Sequence, residues 1–553
     1  MEEITTQVAQ ITSLGSNSAS TRTSRGLIYQ IMGLENEETP VGRLPDAILR
    51  VVFLFYAQDC LAFVLPPEAS RGIRLFGQPW MTLARVCHRW RELVQQTPEL
   101  YVKITMPTAP QALLEALNRS QGRPLDVMIP PTPVGEPSHR YPLANVDILR
   151  ALLMSRVRRL AVDDPGSIGI FQDARPASQL ERFSGNAVAL CMLYGTRALR
   201  NVHIVDAPRA VWYKMRGGEW GALQELVVHR MDWRTTIDDV VQGLTGLASS
   251  LTGLMLSCQF VDGLPRLVDQ VCVTFQRLEM LNLIGPLEST ADVLTRLRLP
   301  AATKVVLLNP HSGPQTLSLS TVDKLRAWFS SFLHRPWQPL LYLTLVCSGH
   351  GHYALSCGPT ESCVSPIFLI RLPTTVESVT LFIASLPLEH VRTLRLDNLG
   401  GQDIHFQAAL IQFVRTSLPD VVSLDVRDEW SFAWLVNMLV HDQPGVKGVN
   451  DEKLLNNTLG LQDTTSPPLR SLRTLDVAGF PSVRCYRKSF EPRCFGCAHA
   501  LGYALWTRYE AGRPVRRLNI VPKNSPAVAG GAPLLGERQM RELQRFVVPG
   551  ERR

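Results

Sequence analysis

The chain has 553 residues, a length that predicts about three to five domains unless repeats extend one of them. Apolar residues make up 45% and charged residues 19%, which excludes global disorder. The net charge is +8, but only eight of the 57 basic residues are lysines. Because acidic residues are interspersed with the arginines, a solvated surface is favoured over a phosphate-binding face. The eleven cysteines are widely scattered, which is typical of reduced intracellular thiols rather than a disulfide framework.

Residues 1–40 contain few large apolar clusters and are predicted to form a largely disordered N-terminal arm. The first residues lack a basic start followed by an apolar run, so no secretory signal is expected. The most apolar window, AILRVVFLFYAQDCLAFVLPP, is interrupted by Arg50, Gln58 and Asp59. A membrane span needs about 20 nearly uninterrupted apolar residues. The sequence therefore predicts an intracellular protein of the cytoplasm or nucleus, without a membrane partner.

The first predicted helix begins at Pro45, since proline suits the first turn of a helix, where its missing N–H costs nothing. From Ala47 to Tyr56 this helix is apolar almost all round. A surface helix has one wet face, so this one is expected to be covered on two sides. The second cover is either its own domain or a partner.

The second predicted helix begins near Pro79, runs through WMTLARVCHRWRELVQQ and ends at Thr97-Pro98. Its apolar residues follow a helical stripe and are expected to be buried: Leu83, Val86, Cys87, Trp90, Leu93 and Val94. The arginines and His88 are expected on the wet side. Cys87 and His88 are adjacent and point about 100° apart on a helix, so they are not expected to pair as nucleophile and base. Cys87 is expected to be packed rather than reactive.

After a further helix and the strand-like LDVMI, one six-residue pattern recurs: apolar, two residues, apolar, one residue, apolar. The copies at 199, 223, 251, 278 and 303 start 24, 28, 27 and 25 residues apart, and later intervals are irregular. A period of about 20–29 residues with this core predicts a leucine-rich solenoid of short strands with helical or irregular returns. The copies are too numerous for chance to be favoured, although the asparagine that usually follows the core is absent.

Alternate residues of a strand point to opposite faces, so the residues between the apolar positions would face the concave side of a solenoid. Four of them are candidate substrate-binding residues: Glu225, Asn282, Arg395 and Asp425.

Two clusters contain metal-ligating residue types. Cys485, Cys494, Cys497 and His499 offer four soft ligands, but their spacing does not form two matching zinc knuckles, so reduced core thiols are favoured. The second cluster is a glycine-rich stretch for which zinc is less favoured still: Cys347, His350, His352, Cys357 and Cys363. A phosphate loop, a GxSxG elbow and an HExxH motif are all absent from the sequence. The chain is therefore predicted to be no enzyme and to hold no cofactor or metal.

RLPDAILRVVFLF, followed by LARVCHRWRELVQQTPELYVKITM, resembles the F-box-like domains found in large families of mushroom-forming fungi. The matching positions are Leu44-Pro45, Val86-Cys87, Trp90 and Thr97-Pro98, whereas Leu100-Tyr101 stands where Leu-Trp is more usual. The later NRSQGRPLDVMI resembles the segment that follows the domain in those proteins. The specific likeness covers residues 44–129, and the 23-residue connection between the helices, 57–79, departs from a minimal F-box.

The resemblance implies a substrate-recognition adaptor of an SCF-type ubiquitin ligase, with partners that include a Skp-type linker, a cullin scaffold and a protein substrate. The residues that would contact the linker are Leu44, Pro45, Ile48, Leu49, Val52, Phe53, Leu83, Val86, Cys87 and Trp90. The expected fold is α/β: a small all-helical module at 41–105, a leucine-rich-repeat-like α/β solenoid at 106–522 and a tail at 523–553. Two alternatives stay open, a leucine-rich scaffold that engages no ligase and an arginine-driven nucleic-acid binder.

Overall fold

The described residues form a mixed α/β fold whose strands are mostly parallel, and the chain divides into two compact units, Met1–Glu225 and Leu226–Arg553. This computed structural model describes residues 39–59, 78–105, 110–129, 155–162, 176–193, 196–232, 234–259, 271–309, 318–333, 341–347, 352–358, 368–373, 386, 388, 390–397, 413–414, 417–427, 435, 439, 469–478, 498–521, 543–544 and 547. The predicted arm at 1–40 falls outside these ranges except for residues 39 and 40.

The first unit opens with helices that pack on one another. Its helical elements are α1 (Asp46–Asp59), α2 (Pro79–Leu83), α3 (His88–Gln95), a 3-10 helix (Pro98–Tyr101), α4 (Pro110–Arg119), α5 (Ala187–Met192) and α6 (Arg209–Arg216). Pro79 lies in the first turn of α2, as expected for a residue without an N–H. The elements from α1 to the 3-10 helix, residues 46–101, are called the helical module below.

The prediction of one continuous helix from Pro79 to Gln96 is wrong. The chain leaves the helix after Leu83 and restarts at His88, and between them Cys87 is extended, with φ −155° and ψ 174°. The Cys87 Sγ accepts a hydrogen bond from the backbone N–H of Trp90 at 3.4 Å, which satisfies one of the free donors at the start of α3. The cysteine therefore caps a second helix instead of lying within a single one.

Five strands of the first unit form a parallel sheet in sequence order: β1 (Lys103–Thr105), β2 (Leu125–Ile129), β3 (Val157–Val162), β4 (Arg182–Gly185) and β5 (Asn201–Ala207). Val127, Leu160, Phe183 and Val202 stand in register across β2 to β5, and all four are buried. Apolar residues of four successive strands, of which β3 and β5 carry the six-residue pattern, thus form one continuous buried row.

The second unit continues the same design with longer interruptions. Its strands are β6 (Glu225–Met231), in which the boundary between the units falls, β7 (Gly253–Ser257), β8 (Val273–Thr274), β9 (Met280–Ile284), β10 (Leu297–Arg298), β11 (Lys304–Leu308), β12 (Tyr342–Cys347), β13 (His352–Gly358), β14 (Phe368–Pro373), β15 (Thr393–Asp397), β16 (Ser423–Val426), β17 (Thr474–Ala478) and β18 (Arg517–Val521). Its helices include α7 (Ile237–Thr245), α8 (Leu287–Thr295), α9 (Leu319–Leu333) and α10 (Ala498–Glu510).

Each described copy of the six-residue pattern forms a strand, and neighbouring copies pair in phase. Leu254, Leu281 and Val305 are register partners on β7, β9 and β11, and all are buried. The copy VESVTL at 376–381 lies outside the described residues. In-phase pairing follows from the pattern, because a slip of one residue would turn each buried row toward solvent.

At β12 the strands of the sheet depart from sequence order. The neighbour of β11 is β14, and the strand order runs β9-β11-β14-β13-β12-β15, with β13 antiparallel to both of its neighbours. Only residues 348–351 connect β12 to β13. A parallel crossover needs roughly a dozen residues, so this connection permits only an antiparallel hairpin.

Gly185 gives a test of the strand packing. It closes β4 at φ +130°, and a Cβ there would lie 1.9 Å from the carbonyl oxygen of Val162. Gly185→Ala is expected to lower the free energy of unfolding, measured by urea denaturation, by about 3 kcal/mol or more, since both the backbone strain and a clash with β3 apply. Gly122, at φ +75° with nothing within 4 Å of such a Cβ, is the control, and Gly122→Ala should cost about 1 kcal/mol. Equal losses would contradict this account.

Candidate functional site

Helix α1 presents an apolar face to solvent. Ile48, Val51, Val52 and Phe55 are 48%, 48%, 45% and 63% exposed, at the i, i+3, i+4 and i+7 spacing of one helix face. These four side chains are called the α1 face. Single exposed apolar residues are ordinary, but a contiguous set on one helix is typical of an interaction site.

The opposite face of α1 forms the core of the helical module. Leu49 and Phe53 are fully buried, and the Phe53 ring lies 4.7 Å from the ring of Trp90 on α3. Trp80 and Tyr101 form a second aromatic pair, with their centroids 4.9 Å apart. The helix is therefore apolar all round for two reasons: one side holds the module together, and the other is open.

The ten residues expected to contact a linker fall into three groups. Pro45, Ile48, Val52 and Val86 are exposed, whereas Leu44, Cys87 and Trp90 are partly exposed and Leu49, Phe53 and Leu83 are buried. Val86 corrects the expected stripe on the second helix, because it lies in the turn before α3 and is 50% exposed. Trp90 packs on Phe53 and so contributes to the module's own core.

Two members of the α1 face, Val51 and Phe55, are absent from the residues that were expected to contact a linker. Both lie in the run from Ala47 to Tyr56 that is apolar almost all round, so the sequence did indicate that they could form part of an exposed apolar face. The resemblance named only positions that match the family pattern, and those positions include the buried side of the helix.

Arg89 corrects the expectation that the arginines of this region only face water. Its Nε and Nη2 donate to Asp46 Oδ1 at 3.0 and 2.6 Å, and Nη2 also donates to the carbonyl of Leu44 at 2.7 Å. Its Nη1 donates to the carbonyl of Gly42. One guanidinium thus holds the chain just before α1 against α3. By contrast, the His88–Glu92 pair at 3.6 Å has side chains 77% and 57% exposed and contributes little.

Two of the four candidate substrate-binding residues lie side by side in the second unit. Arg395 on β15 and Asp425 on β16 are register partners, with Arg395 Nε 3.9 Å from Asp425 Oδ2. Arg395 Nη2 also contacts Asp397 at 3.3 Å, and Arg427 Nε contacts Asp425 at 3.0 Å. Burial disfavours the charged form of Arg395, but Tyr342, Asp425 and Asp397 outweigh it and raise its pKa. The charges of this group, called the outer polar row, are neutralised among themselves.

The other two candidates are separate from that row. Glu225 accepts a hydrogen bond from Asn201 Nδ2 at 2.7 Å and lies 3.9 Å from His203 Nε2 in the first unit. Burial lowers the pKa of His203, partly offset by Glu225 and reinforced by Arg182. Asn282 on β9 is half-buried between Met255 and Val306, and its Oδ1 has no hydrogen-bond partner. Within the second unit, Asn282 therefore does not belong to the outer polar row.

Two thiols of the described residues, Cys258 and Cys357, are buried, whereas Cys87 and Cys191 are partly buried and Cys272 is exposed. Burial raises the pKa of both Cys258 and Cys357 to about 12, so neither forms a thiolate at neutral pH. Cys485, Cys494, Cys497, His350 and Cys363 lie outside the described residues, as do the side chains of Cys347 and His499. Within the described part of the chain, no group of three or more His, Cys, Asp or Glu residues could hold a metal ion.

A scan against models of protein families finds no match to this chain, and a search of curated proteins finds none either. In the ranges that the structure describes, every helix is too short or too polar to cross a membrane.

Arg89→Lys tests whether one guanidinium fastens the start of α1. A lysine supplies a point charge without the planar fork, so the variant should lose about 1–3 kcal/mol of local stability. Faster amide hydrogen exchange in peptides from α1 and α3 is the expected readout. Arg85→Lys is the control, because Arg85 is exposed and lies in the same turn region. If both variants exchange at the wild-type rate, Arg89 does not fasten the module.

Thiol labelling tests the burial of Cys258 and Cys357. With a pKa of about 12, each has a thiolate fraction on the order of 1 in 10,000 at pH 8. N-ethylmaleimide should modify them at least about a hundredfold more slowly than the exposed Cys272, as followed by mass spectrometry. In guanidinium chloride all three should react alike. Equal rates in the native protein would show that these thiols are accessible.

Proposed function

We propose that this chain is a non-catalytic adaptor of an SCF-type ubiquitin ligase. The helical module docks on a Skp-type linker, and the stacked strands hold a protein substrate. The observation that carries the proposal is the α1 face, four apolar side chains between 45% and 63% exposed on one short helix. The resemblance of residues 44–129 to F-box-like domains supports the choice of partner.

The energetics of the α1 face favour a macromolecular partner. Burying a valine, isoleucine or phenylalanine side chain completely contributes about 1.5–3 kcal/mol. Since each of these side chains is about half exposed, covering all four would add on the order of 1 kcal/mol apiece. The helix-in-groove mode of recognition uses this i, i+3, i+4, i+7 arrangement of anchors.

The backing of the α1 face supports the same role. Leu49 and Phe53 pack beneath it, and Arg89 fastens the residues that precede the helix. A partner therefore meets a surface that is already ordered, which lowers the entropic cost of binding.

The stacked strands support the role of substrate holder. Repeated strand units create an extended surface, and this surface carries the outer polar row of Arg395, Asp397, Asp425 and Arg427. An adaptor of this kind acts by raising the effective concentration of substrate lysines near the ubiquitin-charged enzyme, so it requires no catalytic residue of its own.

Co-purification with a Skp-type linker tests the proposal. The wild-type chain should retain the linker, and the double variant Val52→Asp with Phe55→Asp should retain it at least about tenfold less, because two charges would be buried without partners. Both positions are exposed, so the module should stay folded, whereas Leu49→Asp would place a charge in the core. Circular dichroism and thermal unfolding verify folding.

Leu114→Asp with Val188→Asp is the matched control. These residues are 43% and 38% exposed on α4 and α5 of the same unit, outside the helical module. The control should retain the linker as the wild type does. Failure of the wild-type chain to retain any linker would favour the leucine-rich scaffold instead, and retention by the Val52/Phe55 variant would exclude the α1 face as the docking surface.

A further inference from the structure

Exposed arginines lie at the N-terminal ends of three of the last four strands of the second unit, β15, β17 and β18. Arg392 precedes β15, Arg473 precedes β17, and Arg516 and Arg517 stand at the start of β18. All four are exposed. They are called the arginine edge below.

Backbone hydrogen bonds place the arginine edge in one line. The N–H of Val422 donates to the carbonyl of Arg392 at 2.7 Å, the N–H of Arg473 to Val422 at 2.8 Å, and the N–H of Arg516 to Arg473 at 2.8 Å. Neighbouring strands are about 4.8 Å apart, so the line from Arg392 to Arg516 spans about 14 Å.

The arginine edge differs from the outer polar row on the same strands. Arg395 and Arg427 contact Asp397 and Asp425, and Asn519 donates to Asp476. Among the residues that the structure describes, no carboxylate lies within 4.0 Å of a guanidinium of the arginine edge. The charges of the row are thus paired within the chain, whereas those of the edge have no ion-pair partner among the described residues.

We propose that the arginine edge binds an extended acidic peptide segment of a protein partner. If the chain is the adaptor proposed above, this segment belongs to the substrate, and in that respect the inference depends on the proposed function. The binding itself requires no linker and no other ligase subunit.

The dimensions of the arginine edge fit a short peptide. In an extended peptide, side chains on one side recur about every 6.6 Å, so a line of about 14 Å matches four or five residues. Each arginine can meet a glutamate or aspartate in the forked, two-bond geometry that guanidinium and carboxylate share. The arginine side chains are long and exposed, so they can reach carboxylates that recur about every 6.6 Å although the strands are about 4.8 Å apart.

An acidic peptide fits this surface better than a nucleic acid does. Single-strand binders combine a basic groove with aromatic side chains on which bases stack. Strands β15, β16, β17 and β18 contain no aromatic residue, and the exposed Trp506 and Tyr509 lie on α10, seven or more residues before Arg516.

Fluorescence polarisation with defined probes tests the proposal on the full chain. The probe is a fluorescein-labelled decapeptide of alternating glutamate and serine, and its glutamine counterpart is the uncharged probe. We expect the wild type to bind the glutamate peptide at about 50 mM NaCl. Binding should weaken progressively toward 1 M NaCl, because the Debye length there is only about 3 Å and charges further apart no longer attract each other. The triple variant Arg392→Gln, Arg473→Gln and Arg516→Gln should bind at least about tenfold more weakly.

A matched control removes the same charge elsewhere. Arg197, Arg277 and Arg298 are also exposed, and changing them to glutamine lowers the net charge equally. This control should bind the glutamate peptide within about twofold of the wild type. Equal weakening in both triple variants, binding of the glutamine peptide, or no binding by the wild type would each overturn the proposal. Tighter binding of an oligothymidylate of the same charge would also overturn it and would identify a nucleic-acid surface.

Linker retention separates this inference from the proposed function. The triple variant of the arginine edge should retain a Skp-type linker as the wild type does, because the α1 face is unchanged. A chain that binds the glutamate peptide but no linker would keep the acidic-peptide surface and remove the adaptor role. The reverse result would keep the adaptor and remove the peptide surface.

Discussion

The fold depends on one constraint: a short strand can bury its inner apolar side chains only against neighbours that carry the same row. Leu394, Leu424 and Leu475 illustrate it, since they are register partners on three successive strands and none is more than 1% exposed. A shift by one residue would exchange the buried and the solvent-facing positions along the strand. The register in which the strands pair is therefore strongly determined. The same constraint places the polar residues between the apolar positions on the opposite face of the sheet. It also aligns the residues that precede each strand.

The helical module meets a different constraint, because a helix of fourteen residues that is apolar on all sides cannot be satisfied by one neighbour. The chain covers one side, with Phe53 against Trp90, and fastens the entrance of the helix through Arg89 to Asp46 and the carbonyl of Leu44. These contacts stabilise the module without using the α1 face. The contacts that stabilise the module and the proposed docking surface lie on opposite sides of one helix, so substitutions can separate the two.

The sequence predicted local features well and long-range ones poorly. The six-residue pattern predicted strands wherever the described chain contains it, because alternation is a local property of the backbone. It did not predict the order β11-β14-β13-β12, since LLYLTL fits the pattern as well as other copies and only the short connection after it imposes a hairpin. Spacing placed Cys87 in a helical stripe, but it did not register that a sulfur can accept from the N–H of Trp90 and start a new helix. The contacts of Arg89 span 43 to 47 residues and leave no local signal.

The positions of the charged residues indicate what the surface can bind better than the net charge does. A net charge of +8 is by itself compatible with a solvated surface, a nucleic-acid binder and an acidic-partner binder. The structure divides the arginines into those whose charge is already matched, such as Arg395, and those at the strand starts, such as Arg473. Covering the matched charges would cost desolvation without a new ion pair, whereas covering the unmatched ones gains a partner. Recognition of an acidic segment would therefore centre on the arginine edge.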